Sequence, residues 1–331
     1  MRPNEKPVRA LGLCSGGLDS MLAALVLRDQ GIDVNWVCFE TPFFTAVKAA
    51  RAAAALNIPL TVRNITAEYI PMLKNPPCGY GQHMNPCLDC HALMFRIAGS
   101  IMKEKEYDFL FSGEVAGQRP MSQTKPSLRY VEKHSGFDGY IVRPLSALLL
   151  PETLPEQRGL VDRSRLLGLS GRSRKPQIAL ARQYGITDYP APAGGCLLTD
   201  TNFSQRLKDL FAHSPSPAEN EYLLLQYGRH FRLSPTAKLI VGRTQRENQE
   251  LADLAGAIGA TVLKATLFPG PTALLVGEAN QGALMLAAGI CVGYSKAPDD
   301  KPVTVTAVTG DHRQSIAMMA VPPDKVAHLL I

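Results

Sequence analysis

Between residues 8 and about 150, short apolar runs alternate with longer stretches whose apolar positions return every three to four residues. The runs at 10–14, 34–40, 60–64 and 109–112 predict strands, with a shorter one at 140–143; the stretches at 21–30, 45–56 and 90–105 predict helices. This alternation is the pattern of an α/β domain built on a doubly wound parallel sheet, which takes ligands beyond the carboxyl ends of its strands. Residues 75–85, rich in Pro and Gly, interrupt it and predict a long functional loop.

Farther along, 175–184 reads as a helix closed by Gly185 and followed by a Pro-rich turn at 189–195, and 202–211 reads as another helix. Ser214-Pro215-Ser216-Pro217 then marks a turn or linker. Beyond it, strand-like runs at 231–241, 261–267 and 273–276, a last one at 303–309, and helices at 246–258 and 279–288 predict a second, smaller α+β domain. The expected division is 1–200 and 201–331. A chain of 331 residues is long enough for two cores.

The first strand-to-helix junction carries Ser15-Gly16-Gly17-Leu18-Asp19-Ser20. Two glycines clear side chains from the backbone, and the free N–H groups of a helix N-terminus point at the same place, so the junction is an anion site. Ser15 and Ser20 add hydroxyls, and Asp19 can hold a magnesium ion. An ordinary N-cap favours Ser or Asp but does not need two consecutive glycines after a strand. The Gly-Lys-Ser/Thr ending of a Walker loop is missing. Residues 40–44 and Gly113-Glu114 are expected at the ends of neighbouring strands.

Cys87-Leu88-Asp89-Cys90 closes the Pro/Gly loop, and Cys196 follows Pro192-Ala193-Gly194-Gly195. A C-x-x-C pair can bind zinc, form a redox disulfide or hold iron. Structural zinc takes four ligands, so Cys78 or His83 would have to join; three cysteines alone suit a 4Fe-4S cluster with one iron open to a substrate atom. Disulfide or persulfide chemistry between Cys87 or Cys90 and Cys196 is the remaining option. Cys14 and Cys38 lie in apolar runs and read as core residues, while Cys291 belongs to the distal domain without a partner nearby.

Hydrophobic residues make up 46% of the chain and charged residues 19%, and no apolar run approaches the ~20 residues of a membrane span. With no apolar leader after Met1, a cytoplasmic location without membrane contact is expected. The net charge is +6. Arg158, Arg163, Arg165, Arg172, Arg174 and Lys175 face the single acid Asp162 in that segment, as a solvated loop or a phosphate-backbone contact would.

Several segments together resemble one family. Ser15–Ser20 resembles the SGGxDS loop of the N-type ATP pyrophosphatases, which cleave ATP to AMP and pyrophosphate to adenylate a substrate. Ser112-Gly113-Glu114-Val115-Ala116-Gly117-Gln118 with Ser122-Gln123-Thr124 resembles the GE-x-x-GQ…SQT signature of tRNA 4-thiouridine synthetases, and Arg143-Pro144-Leu145 matches the RPL that follows it. Order and spacing agree over residues 8 to 150. Cys87 and Cys90 with Cys196 are similar to the three-cysteine set of cluster-dependent tRNA thiolation enzymes, including relatives of the 2-thiouridine synthetases. Gly228-Arg229-His230-Phe231, Leu239-Ile240-Val241-Gly242-Arg243 and Glu247-Asn248 are similar to NFACT-R RNA-binding domains, a shorter and less specific match.

The resemblance implies an adenine nucleotide alpha hydrolase-like (PP-loop) fold, with ATP, Mg2+ and a 4Fe-4S cluster as cofactors. It implies tRNA as substrate, 4-thiouridine or 2-thiouridine as product, and sulfide or a sulfur-donor protein such as a cysteine desulfurase as partner; a homodimer is compatible with it. It places the ATP phosphates on Ser15, Gly16, Gly17 and Ser20, magnesium on Asp19, and the nucleotide or target base among Gly113, Gln118, Ser122 and Thr124. Sulfide would bind the open iron held by Cys87, Cys90 and Cys196, and RNA would meet Arg172, Arg174, Lys175, Arg229 and Arg243.

The chain departs from the family pattern in three places. Neither a THUMP region before residue 8 nor a rhodanese domain after the second domain is expected, and with them no rhodanese persulfide relay. The lysine that follows RPL is missing from residues 146–150, leaving Lys125 or Arg143 as the cation for adenylation. Glu114 reads as a helix cap or a nucleotide or substrate contact, and His91, beside Cys90, as a surface residue or one that supports a ligand from behind rather than a ligand. The alternatives are a PP-loop enzyme acting on a small molecule, such as a thiamine-pathway or deazaguanine-type ligase, and thiolation by persulfide chemistry without a cluster. The intact Ser15–Ser20 loop argues against a non-catalytic RNA-binding protein.

Overall fold

Five parallel strands form the first sheet of the computed structural model, which describes residues 6–191 and 196–331. In chain order its elements are β1 (Arg9–Leu13), α1 (Leu18–Arg28), β2 (Asp33–Glu40), α2 (Val47–Leu56), β3 (Leu60–Asn64), α3 (Thr66–Lys74), α4 (Cys87–Glu104), β4 (Phe109–Ser112), α5 (Lys125–Ser135), β5 (Ile141–Val142), α6 (Leu154–Gln157) and α7 (Lys175–Gln183). The strand order is β3-β2-β1-β4-β5, with β1 paired in parallel to both β2 and β4. This is the expected doubly wound parallel sheet. Connections leaving β1 and β4 diverge to opposite sides, which opens a crevice at their carboxyl ends. Ser15–Ser20 leaves β1 there and Gly113 leaves β4.

β1 and β4 are apolar on both faces because helices cover both sides: Ala10, Leu11, Phe109, Leu110 and Phe111 are all buried. Helices α3, α5 and the four-residue α6 are not among those expected from the sequence. α3 carries Pro71 inside nine residues, which masks its periodicity, and α5 opens with Lys125-Pro126 behind the Thr124 cap, a Pro-containing start that reads as loop. α4 begins at Cys87, so Cys87 and Cys90, three apart, share its first turn.

Contacts divide the chain into two units, Met1–Thr199 and Asp200–Ile331. The second contains α8 (Thr201–His213), α9 (Glu219–Leu224), β6 (Arg229–Ser234), β7 (Ala237–Val241), α10 (Gln245–Ala255), β8 (Thr261–Ala265), β9 (Ala273–Gly277), α11 (Gln281–Gly293), β10 (Val303–Thr309) and β11 (His312–Met318). Its antiparallel sheet runs β11-β10-β8-β9-β7-β6. Leu239 and Val241 of β7 face the α11 side of the core and Ile240 the α9/α10 side, so the strand is apolar on both faces.

The expected strand at 231–241 is a hairpin of β6 and β7, and 303–309 is followed by one more strand. β11 lies at the sheet edge and buries Ile316 alone, so its polar sequence hides the alternation.

Candidate active site

The loop after β1 is shaped by close backbone approaches. Gly16 has φ +71°, and a Cβ there would lie 2.2 Å from the Lys48 carbonyl carbon in α2; any side chain would force α2 away. At Gly113 a Cβ would lie 2.4 Å from the Asp19 carbonyl carbon, so this glycine lets the β4 loop touch the start of α1. Gly17 is the N-cap of α1 and is not capped by a side chain, which leaves first-turn N–H groups for an anion.

Internal bonds hold the loop. Gly16 N–H donates to Cys14 Sγ (3.3 Å), Gly17 N–H to Ser15 Oγ (3.4 Å) and the Ser20 hydroxyl to Gly17 O (2.7 Å). Cys14 is buried as expected but also props the loop, and burial pushes its thiol up to about 11.

Asp19 connects this loop to the motif after β4. Gln118 Nε2 donates to Asp19 Oδ2 (2.8 Å), and Gln177 Nε2 of α7 donates to Gln118 Oε1 (3.1 Å). Asp19 Oδ1 is buried and meets no donor among the described residues, an environment that fits a cation or its hydration shell. Thr124 is the N-cap of α5, where its Oγ1 accepts from Ser127 N–H (3.2 Å). Ser122 is buried in the same turn.

Cys87, Cys90 and Cys196 converge on Tyr69 of α3. Tyr69 is 1% exposed, packs on Phe43 and Phe44, and is hydrogen-bonded to the Cys90 side chain. Burial pushes the Cys90 thiol up to about 12; the Tyr69 bond opposes this, and nearby Cys196 and Cys87 add to it. Burial likewise raises Cys87 and Cys196, while the Arg119 guanidinium lies close enough to both to favour their thiolates. Cys87 Sγ donates to Asn85 Oδ1 (3.1 Å), and the Met84 N–H donates to Leu198 O (3.2 Å), which ties the Pro/Gly loop to the turn after Cys196.

Among the described residues no three or more His, Cys, Asp or Glu side chains are arranged to hold a metal ion. The three thiols are neighbours with soft donors of the right kind for iron, but protonated thiols turn to hydrogen-bond partners, and only thiolates are ligands. Residues 192–195, just before Cys196, lie outside the described residues. The Cys78 N–H donates to Asp89 Oδ2 (2.8 Å), and the Tyr130 hydroxyl donates to the other oxygen of the same carboxylate (2.9 Å).

Two sequence expectations are corrected by the buried charges. Glu114 neither caps a helix nor lies open to a nucleotide. It accepts from Arg143 Nε (2.9 Å) and Ser112 Oγ (3.0 Å), and its other oxygen pairs with His91 Nδ1 (2.9 Å). Burial pushes this carboxyl up, but Arg143 and His91 outweigh it and hold Glu114 at about 2. Arg143 also donates to Glu132 Oε1 (3.0 Å) and is buried, so it is not a free cation for adenylation; Lys125 is exposed.

The basic stretch divides by partner. Arg163 pairs with Glu156, and Arg165 donates to Asp29 O. Arg172 and Lys175 are exposed, whereas Arg174 is half-buried at the N-cap of α7. In the second unit Arg229 stacks over Tyr294 (4.9 Å), and Arg243 is clamped by Glu247.

Sequence reasoning missed Tyr69, Arg119 and Gln177. Arg119 directly follows a motif residue and was within reach; the other two sit in helices without any motif.

Residues 7–149 match the family model described as thiamine biosynthesis protein (ThiI), and residues 228–329 match that of the NFACT protein RNA binding domain. A probable tRNA sulfurtransferase from Oceanobacillus iheyensis is 28% identical over 149 residues, 42% of this chain and 35% of the relative. The chain thus spans about a third of the length of that relative. Among solved structures, an NH3-dependent NAD synthetase from Campylobacter jejuni is 12% identical, with a TM-score of 0.36 over 68% of this chain and 85% of that one. A predicted subunit of tRNA methyltransferase from Methanocaldococcus jannaschii is 18% identical, with a TM-score of 0.30 over 54% and 88%.

Proposed function

We propose that a chain joining a ThiI-type domain to an NFACT-type RNA-binding domain is an ATP-dependent tRNA sulfurtransferase that makes 4-thiouridine or 2-thiouridine. One observation carries the reading. Gln118 and Arg119 are consecutive, and the first holds Asp19 of the Ser15–Ser20 loop while the charge of the second reaches the Cys87 and Cys196 thiols and favours their thiolates. Activation and sulfur delivery thereby meet in a single turn after β4.

A uridine carbonyl oxygen is a poor leaving group, and transfer of AMP to it makes a good one. The α1 N-terminus with Ser15, Gly16, Gly17 and Ser20 binds the phosphates, and Asp19 binds Mg2+. These donors, with Arg119 nearby, offset the charge that develops on the transferring phosphoryl group. Cys87, Cys90 and Cys196 would hold a 4Fe-4S cluster, which when bound supplies an open iron for sulfide. Tyr69 fixes Cys90, and Arg119 favours the thiolate forms of Cys87 and Cys196. The exposed Arg172 and Lys175 and the second unit's Arg229 and Arg243 would contact tRNA phosphates.

The deciding experiment incubates unmodified tRNA with the reconstituted protein, ATP, Mg2+ and sulfide, and analyses the nucleosides by mass spectrometry. ATP-dependent appearance of thiouridine is expected. AMP release that is unaffected by tRNA, with no thiouridine, would refute the proposal and favour a small-molecule substrate.

A further inference from the structure

Gln118 and Gln177 form a chain of amides whose direction is set from one end. The Asp19 carboxylate only accepts, so Gln118 turns its NH2 to it (2.8 Å) and its Oε1 away. That oxygen also only accepts, so Gln177 presents its NH2 (3.1 Å) and must aim its own Oε1 onward. Gln177 is 1% exposed, and neither its Oε1 nor Asp19 Oδ1 meets a donor among the described residues. Buried oxygens in this state are rare unless a ligand or an ordered water completes them.

The chemistry of the missing partner follows from the sign of the groups. Phosphate oxygens are acceptors and would not satisfy either atom. A hydrated divalent cation presents donors in its waters, and Mg2+ on a polyphosphate keeps several of them. Arg174, at the N-cap of the same helix, leaves its buried Nε without an acceptor among the described residues, and that donor suits a phosphate oxygen.

We propose that Gln177 is a positioning residue of the nucleotide site, its Oε1 accepting from the water shell of the Mg2+ held by Asp19, with Gln118 locking it in that orientation. The proposal rests on the ATP reading above and extends it to α7, whose first turn then faces the nucleotide.

Gln177→Met keeps the length and removes the amide with both its donor and its acceptor. Wild type, Gln177→Met, Gln118→Met and the double variant are titrated calorimetrically with ATP, once with Mg2+ and once with EDTA, alongside a urea titration of each. Mg·ATP binding should weaken about tenfold in Gln177→Met, with Mg-free ATP binding unchanged and the urea midpoint no lower. Gln118→Met should show the same Mg-specific loss, and the double variant no more than the larger single loss, because the two amides act as a unit. Wild-type Mg·ATP affinity in both single variants, or an equal loss with and without Mg2+, overturns the proposal. A wild-type protein that binds no Mg·ATP overturns the ATP reading itself, which keeps the two failures distinct.

Discussion

Arg143→Met separates a charge that holds the fold from one that serves the reaction. The Arg143 side chain is 3% exposed and donates to Glu114 Oε2 (2.9 Å), Glu132 Oε1 (3.0 Å) and Leu128 O (3.4 Å). Burial alone would raise the Glu114 carboxyl, yet Arg143 and His91 hold it at about 2 against an ordinary 4.5. A shift of that size corresponds to about 3 kcal/mol of folding stability. Because the folded value lies below the unfolded one, this stability is present above about pH 4.5 and is lost as pH falls towards 2. Removing the guanidinium leaves Glu114 buried with only His91 and Ser112 as partners among the described residues, and breaking a buried pair in this way costs about 3–5 kcal/mol. For a protein of this size that is on the order of 10 °C in melting temperature. Urea denaturation followed through the single tryptophan, the buried Trp36, measures it. The gap between wild type and variant should be largest near neutral pH and narrow towards about pH 4, where protonation of Glu114 relieves the unpaired charge. Glu114→Gln in the Arg143→Met background should recover part of the loss. An Arg143→Met protein with wild-type stability at neutral pH but no AMP formation would refute this reasoning and make Arg143 a catalytic residue.

Asp19→Ala should reduce AMP formation by about 10²–10³-fold while the reactivity of Cys87 and Cys196 towards alkylating reagents stays at the wild-type level; near-normal AMP release would remove Asp19 from the site. Cys90→Ala should lose sulfur transfer and keep tRNA-stimulated AMP release, as read by nucleoside mass spectrometry and a pyrophosphate assay. Thiouridine formed by Cys90→Ala at the wild-type rate would be incompatible with the three-cysteine site, and formation by iron-stripped wild type would assign the sulfur to a persulfide instead. Arg172→Glu should lower the slope of log affinity for tRNA against log salt by about 1; an unchanged slope returns this residue to a solvated loop.

The parallel sheet is legible in the sequence because its central strands β1 and β4 are short and apolar on both faces and helices separate the strands, and residues 60–64 and 109–112 match β3 and β4 end to end. The Ser15–Ser20 loop is legible for a related reason: its close backbone approach to α2 demands glycine at position 16, and glycine is visible in one dimension. The hairpin of β6 and β7 reads as one strand because both halves carry apolar residues and the two residues that turn the chain, Pro235-Thr236, include neither Gly nor Asn. β11 escapes because an edge strand that buries one residue has no alternation to find.

The site residues that escape share a different cause. Asp19 and Gln118 are 99 positions apart, and Gln118 and Gln177 another 59; a glutamine inside a helix carries no signal until the partner that orients it is in place. Arg143 illustrates the opposite error. Its motif is plain in the sequence, but nothing there reveals that Glu114 and Glu132, 29 and 11 positions before it, enclose its charge. Burial changes the meaning of a charged residue: at the surface an arginine next to a nucleotide loop is a catalytic candidate, whereas buried between Glu114 and Glu132 the same arginine is what keeps the enclosed Glu114 ionised. A cation for the adenylation proposed above would be a group whose charge is not enclosed in this way. Arg119 is such a group: it is exposed and one residue from Gln118, and its charge reaches the Cys87 and Cys196 thiols.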